Sequence, residues 1–301
     1  MAEALKIADP TQHVSCTACH APMQTVPKEL RAADAHVVDG VSCASCHGAG
    51  DSWLRSHTRK DMTHADRVAS GMRDLRGLYQ RANACVACHQ NIDPQLVNVG
   101  KHPALIYELD GQSVSQTKHW REVANYHGAQ AWLVGQAVAL REMSSALLHK
   151  QSDAGTEGPR WAGLLWVLQR SDPHSLSQAL NTVASTPAAP NFSAALDNSD
   201  AFGRRASEVV WSNDMTKALL KNLSSAHADF RNDATSNLEQ ARRAERLVLG
   251  LDRLLGSLPA DQRSAAANAS LNTLFSLAQS PADFSPVDFA NQLSSFAQAL
   301  E

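Results

Sequence analysis

The chain has 301 residues, which gives room for one large domain or two ordinary ones. Its 27 lysines and arginines nearly balance its 30 aspartates and glutamates, and this disfavours nucleic-acid binding, which needs a clustered basic excess. The sequence contains no apolar run of roughly 18 residues, so it predicts no transmembrane segment. Leucine, alanine and valine recur throughout, which excludes disorder as the main state of the chain.

The cysteines form three copies of one short motif. All six fall in Cys-x-x-Cys pairs, and a histidine follows each pair directly, in the strings CTACH (16–20), CASCH (43–47) and CVACH (85–89). Cys-x-x-Cys-His is the attachment signature of haem c. The sequence therefore predicts three covalent haems, which are attached to Cys16, Cys19, Cys43, Cys46, Cys85 and Cys88 and ligated by His20, His47 and His89.

The spacing of the motif suits this chemistry. Two intervening residues let both thiols reach the two vinyl groups on one porphyrin edge, and the adjacent imidazole then lies under the ring and binds iron. Three disulfides would not explain the histidines. A zinc ribbon uses two such pairs and would leave one over, and a thioredoxin-like pair needs a βαβ pattern that is not visible.

Histidine is concentrated in the same part of the chain, since ten of the thirteen lie within residues 1–128. Each haem iron has a second axial position, and three of the seven histidines outside the motifs would make every haem bis-histidine. Gly100 and Pro103 predict a turn that could present His102. We expect the sixth ligands among His57, His102, His36, His13 and His119. His149, His174 and His227, in the second half, are expected on helix surfaces.

Composition also predicts two domains, because residues 1–128 hold every cysteine and most histidines, whereas 129–301 hold no cysteine. The first is expected to be loop-rich around its haems, with one helix over residues 66–84 that leads into the third motif. Val68, Met72, Leu75 and Leu78 give that segment helical spacing.

The second half is predicted to be helical throughout. Apolar periodicity marks helices over 129–150, 161–168, 209–223, 236–256, 271–278 and 289–300. Ser236 and Glu239 fit a capping box at the start of the longest one. KQSDAGTEGP (150–159) and TPAAPNFSAALDNSD (186–200) are predicted linkers. The expected fold class is mainly α: a loop-rich multihaem cytochrome c domain followed by an all-α helical domain.

Three segments resemble a known family. GVSCASCHGAGDSWLRSHT (40–58), VGKHPALIYELDG (99–111) and AWLVGQAVAL (131–140) are similar, in order, to segments of the multihaem c-type cytochromes that include the tetrahaem electron carriers of hydroxylamine oxidation. The resemblance covers roughly residues 10–145 and implies closely packed, mostly bis-histidine haems that transfer electrons. It implies His57 and His102 as distal ligands. Relatives commonly have a fourth motif, and Lys101 is an insertion in the Gly-His-Pro segment.

The sequence therefore predicts a trihaem electron carrier with redox protein partners, more an electron carrier than an enzyme. Two alternatives remain: a small oxidoreductase that acts on a nitrogen or sulfur compound at one five-coordinate haem, and a haem-bearing subunit of a larger complex or oligomer. Haem c is attached outside the bacterial cytoplasm, so we expect a periplasmic or extracellular protein. The N-terminal MAEALKIADPTQ has no basic and apolar signal-peptide pattern, so we interpret the sequence as a mature or trimmed chain.

Overall fold

The computed structural model describes residues 1–115, 119–171, 178–232 and 234–300. The regular elements in these ranges are helices, which confirms the mainly α fold class. The chain divides into two compact units, Met1–Ile106 and Tyr107–Glu301. This division precedes the boundary that composition indicated after residue 128, because Leu109 packs directly on Gly135 of the second unit. Composition marks where the haem motifs lie, whereas packing decides where a compact unit begins.

The first unit contains five short α-helices. They are α1 (Val14–His20), α2 (Cys43–His47), α3 (His64–Ala69), α4 (Leu78–His89) and α5 (Pro94–Asn98). The prediction of one helix over residues 66–84 is wrong, since α3 ends before Ser70 and α4 begins at Leu78. Gly71 between them has φ +96°, a left-handed conformation that glycine adopts at no steric cost and that stops a right-handed helix.

The first unit buries few of its own apolar side chains. α4 contributes Leu78, Tyr79, Ala82 and Val86, and the other two are Ala21 and Trp53. Several apolar side chains are instead exposed, among them Val14 at 62% and Val41 at 61%, which closely precede the first and second motifs. Apolar side chains beside the motif cysteines are therefore not part of the unit's own core.

The second unit contains eight α-helices in its described residues. They are α6 (Leu109–Ser115), α7 (Gly128–Leu148), α8 (Ala154–Arg170), α9 (Ala189–Glu208), α10 (Asn213–Ser224), α11 (Asn237–Ser257), α12 (Ala265–Ala278) and α13 (Pro286–Gln298). α7 is the central helix, because it packs on α6, α8, α9 and α11 and buries every residue from 129 to 140. The sequence predicted this helix from one apolar face, and the structure buries it on all sides because four helices surround it.

The predicted helices of this half are confirmed, with some changes of extent. The Ser236 hydroxyl accepts the backbone N–H of Glu239 at 3.3 Å, as the capping box predicted. The linker predicted over 186–200 is wrong, because α9 begins at Ala189 and buries Phe192, Ala195 and Ser199 on one face. Its early proline lies in the first helical turn, where the missing N–H has no intrahelical partner to lose.

Three further predictions differ from the structure. The linker predicted over 150–159 is helical from Ala154, where α8 begins. The Asp153 carboxylate caps this helix by accepting the Thr156 backbone N–H. The helix predicted over 209–223 begins only at Asn213, and Val210 is 84% exposed. His149 is exposed at the end of α7 as expected, whereas His227 is half-buried in a 3₁₀ turn. His174 lies outside the described residues.

A cluster of buried charges joins the start of the second unit to α11. The Arg253 Nε lies 2.9 Å from Glu108 Oε2 and 3.5 Å from Asp110 Oδ2, and both carboxylates are 7% exposed. Burial and the neighbouring Glu108 raise the pKa of Asp110 to about 7, although Arg253 opposes the shift. Burial raises the pKa of Glu108 as well. Charges removed from water are stabilised here by one shared guanidinium.

No helix in the described part of the chain is long and apolar enough to cross a membrane.

Candidate haem-attachment site

Each Cys-x-x-Cys-His motif forms the end of a helix. α1, α2 and α4 all end on the motif histidine, at His20, His47 and His89 respectively. In a helix, residues three and four apart share one face, so the two cysteines and the histidine of each motif project from the same side. That arrangement directs two thiols and one imidazole toward a single porphyrin. The last helical turn also carries the negative end of the helix dipole, which favours a bound cation such as iron.

The first unit brings cysteines of all three motifs together. The thiols of Cys19, Cys46 and Cys85 all lie close enough to the Cys88 thiol to affect its charge. Burial, together with these neighbours, raises the pKa of Cys88 to about 11. None of the six cysteines, all of which are described, is in a disulfide. Motifs that are 27 and 42 residues apart in sequence therefore converge in space, so haems attached to them would be close neighbours.

The first motif histidine lies near one predicted sixth ligand. The ring centres of His20 and His102 are 6.3 Å apart, with a 57° angle between the rings. Two imidazoles on opposite sides of one metal ion, each about 2 Å from it through nitrogen, have ring centres roughly 6 Å apart. The angle between the rings is free, because each imidazole can rotate about its metal–nitrogen bond. The spacing of this pair fits one six-coordinate iron.

The turn after α5 presents His102. The His102 backbone N–H donates to Leu96 O at 2.8 Å, and Lys101 adopts a left-handed φ of +61°. Gly100 is needed for another reason, since an added Cβ there would lie 2.7 Å from Leu96 O. The turn predicted from Gly100 and Pro103 is thus present, and the inserted Lys101 supplies its left-handed residue. A left-handed residue that is not glycine costs about 1–2 kcal/mol, which the turn must offset elsewhere.

Hydrogen bonds to the rings distinguish the ligand candidates. Nδ1 of His102 lies 2.8 Å from Pro103 O, and Nδ1 of His57 lies 2.5 Å from Leu54 O. A carbonyl oxygen can only accept, so Nδ1 carries the proton in both rings and Nε2 keeps the lone pair that a metal requires. Backbone carbonyls orient many metal-bound histidines in this way.

His13 has the opposite tautomer. Its Nδ1 accepts the Ser15 backbone N–H at 3.3 Å as the cap of α1, so the proton of the neutral ring lies on Nε2. His36 is exposed before a short 3₁₀ turn and is anchored through its backbone N–H, which donates to the Asp39 carboxylate at 2.6 Å. These surroundings favour His57 and His102 over both residues as iron ligands.

Two other sequence-predicted ligands have different settings. His89 is half-buried, and burial lowers the pKa of its imidazole, which favours the neutral form that ligates iron. His119 belongs to the second unit, where its ring lies edge-on to Trp120 with 5.1 Å between ring centres. The structure therefore groups the three motifs with His57 and His102 in one unit and leaves His119 in the other.

The second motif is held by residues that the sequence did not single out. Arg73 donates its backbone N–H to His47 O at 2.8 Å and its guanidinium to Cys46 O at 3.1 Å. Arg67 donates its Nε–H to His57 O at 2.9 Å. Arg67 lies in α3, and Arg73 lies in the loop after it. Their hydrogen bonds satisfy the carbonyl groups of Cys46 and His47, at the end of α2, and the carbonyl group of His57. Nothing in their sequence setting distinguishes them from solvated surface arginines.

The segment that holds the first two motifs also matches the model of a known family. A family model described as "Cytochrome c554 and c-prime" matches residues 1–48, which include the first two Cys-x-x-Cys-His motifs. This match supports a c-type cytochrome. Covalent haem c and a general electron-transfer role are the properties that such a family implies. No curated protein and no solved structure matches the chain.

Proposed function

We propose that this protein is a trihaem c-type cytochrome, which transfers electrons between redox proteins through closely packed, mostly bis-histidine haems. The observation that supports this most directly is the pair of His20 and His102, whose ring spacing of 6.3 Å suits one iron with both axial positions filled. An iron with two protein ligands has no position left for a substrate, so it serves electron transfer.

The residues of the first unit have separate roles in this proposal. Each pair of thiols would hold one haem by thioether bonds, and the histidine that ends the same helix would bind its iron. Haem iron supplies a one-electron Fe(III)/Fe(II) couple when bound. Burial lowers the pKa of His89 and so favours its neutral imidazole, whereas the carbonyl groups of Leu54 and Pro103 orient the rings of His57 and His102.

The convergence of the motifs supports transfer among the haems. Cys19, Cys46 and Cys88 come from three different motifs and lie close together in the first unit. Electrons would enter at one exposed haem edge and leave at another. We further propose that the protein works in the periplasm or at the cell exterior, and that the second unit serves docking or assembly.

The experiment is to produce the full chain with its haems attached and to measure intact mass, EPR spectra and visible spectra. We expect three covalent haems, all low-spin in the oxidised state and unchanged by cyanide or nitrite. A protein without covalent haem would overturn the proposal. A high-spin third of the iron that responds to cyanide would instead indicate one open haem, and an enzyme would become the better interpretation.

A further inference from the structure

Trp53 contacts both the second motif histidine, His47, and the predicted sixth ligand nearest to it in sequence, His57. Its ring centre is 6.0 Å from that of His47 and 6.0 Å from that of His57, with interplanar angles of 69° and 88°. The side chain is only 3% exposed, in a unit that leaves several of its aliphatic side chains in solvent. One buried indole therefore contacts both imidazoles near the second motif edge-on.

The indole is fixed by polar contacts as well as by packing. Its Nε1–H donates to Ala49 O at 2.6 Å, which ties it to the residues directly after α2. The His57 backbone N–H in turn donates to Trp53 O at 2.9 Å. The Trp53 side chain is thus bonded to the loop that follows His47, and the Trp53 carbonyl group holds the backbone of His57.

We propose that Trp53 is the positioning residue of the second haem centre and fixes the ring orientations of His47 and His57. This inference rests on the proposed function. An indole has no lone pair to give to iron, so Trp53 acts only through the two imidazoles. Groups that orient an axial imidazole control how well it binds and thereby affect the spin state and potential of the metal.

Two features make this more specific than core packing. The Trp53 Nε1–H donates to Ala49 O, four residues earlier in the loop that joins the second motif to His57, so the indole is fixed within that loop. Gly48 leaves α2 with φ +82°, a conformation that turns the chain away and lets residues 49–57 fold back. The loop from the second motif to His57 is therefore arranged around this one side chain.

The test compares variants of the haem-loaded full chain. Trp53→Phe keeps an aromatic ring but removes the N–H donor, and Trp53→Ala removes both. His57→Ala gives the signature of a lost sixth ligand. Trp211→Phe is the matched control, since Trp211 is 5% exposed and donates its Nε1–H to Thr216 Oγ1 at 2.9 Å, yet it belongs to the second unit. The measurements are haem count by intact mass, EPR spectra, cyanide binding and stepwise reduction potentials.

We expect Trp53→Ala to retain three haems while about one third of the iron becomes high-spin and binds cyanide, as in His57→Ala. Trp53→Phe is expected to restore low-spin iron, with shifted g values for one haem only. Trp211→Phe should leave all haem signals unchanged. If the Trp53→Ala variant loses a haem or fails to fold, the Trp53→Phe variant alone tests the inference. Shifted g values for one haem would then support it, and unchanged g values would overturn it.

Unchanged spectra and potentials in both Trp53 variants would overturn the inference and leave Trp53 as a packing residue. The inference would also be overturned if all the iron in the His57→Ala variant stayed low-spin, because His57 would then not be a ligand. In either case, three low-spin haems in the unsubstituted protein would leave the proposed function intact. Absence of covalent haem from the unsubstituted protein is the separate result that would defeat the proposed function itself.

Discussion

The ring centres of His20 and His102 lie 6.3 Å apart, although the two residues are 82 positions apart in the chain. His20 ends α1, and His102 follows the left-handed turn at Lys101. Because the Nδ1 proton of His102 is held by Pro103 O, its Nε2 is the nitrogen available to a metal. This relationship leads to the first prediction.

Replacement of His102 by Ala should open one haem of the loaded protein. We expect about one third of the iron to become high-spin and to bind cyanide, because one of three sixth ligands is removed. His13→Ala is the control, since the Nδ1 of His13 accepts a backbone N–H and its ring lacks the ligating tautomer. EPR and cyanide titration measure both variants. If His13→Ala opened a haem and His102→Ala did not, the ligand assignment would be wrong.

The third motif should attach a haem independently of the first two. It lies outside residues 1–48, the segment that the family model matches, and its cysteines lie on the last turn of α4. In Cys85→Ser with Cys88→Ser, we expect intact mass to fall from three haems to two. Low-spin EPR signals should persist for the remaining two. An unchanged haem count would show that this pair is not an attachment site.

Asp110 should make the second unit less stable as pH rises. Its pKa is raised from 3.8 to about 7, so the native state holds a proton that the unfolded chain has already released in this range. The free energy of unfolding therefore falls between about pH 4 and pH 7, by at most about 1.4 kcal/mol per pH unit. Glu108, whose pKa is also raised, contributes in the same direction.

Asp110→Asn tests this assignment. We expect the variant to match the parent near about pH 3.5, where Asp110 is protonated in both the folded and the unfolded chain, and to exceed the parent's stability by a growing margin up to about pH 7. Urea unfolding of the second unit, followed by far-UV circular dichroism, measures both proteins. Arg253→Met is the companion variant and should lose about 3 kcal/mol near pH 8, because two buried carboxylates would lack their cation. A parallel pH dependence in parent and Asp110→Asn would contradict the assignment.

Gly163 allows α8 and α11 to approach closely. An added Cβ would lie 2.9 Å from both the carbonyl carbon and oxygen of Arg242, and backbone cannot move aside as a flexible side chain can. Gly163→Ala should therefore destabilise the second unit by about 1–3 kcal/mol. Gly256→Ala is the matched control, because nothing lies within 4 Å of its added Cβ and alanine favours a helix by about 1 kcal/mol. Thermal unfolding of both variants is the measurement, and equal losses would exclude close packing as the cause.

The sequence predicted the helices of the second unit well because their apolar residues recur at helical spacing. α7 and α11 match the predicted ranges within two residues, because apolar residues recur at helical spacing in both and Ser236 caps α11. The sequence-based prediction failed where the composition of a segment indicates a linker but its packing makes it a helix. The segment 186–200 is rich in proline, serine and aspartate, yet Phe192 and Ala195 bury one face of it as a helix.

The sequence alone determined the three Cys-x-x-Cys-His motifs and the prediction of haem attachment, because that covalent chemistry needs a fixed spacing of two cysteines and one histidine. Only the tertiary structure decided that His102 lies near His20 and that Trp53 contacts both His47 and His57. It also decided that Glu108 and Asp110 share Arg253. These pairs depend on contacts between distant chain segments, and such contacts are fixed by packing and hydrogen bonds across the folded unit, for which local spacing has no signal.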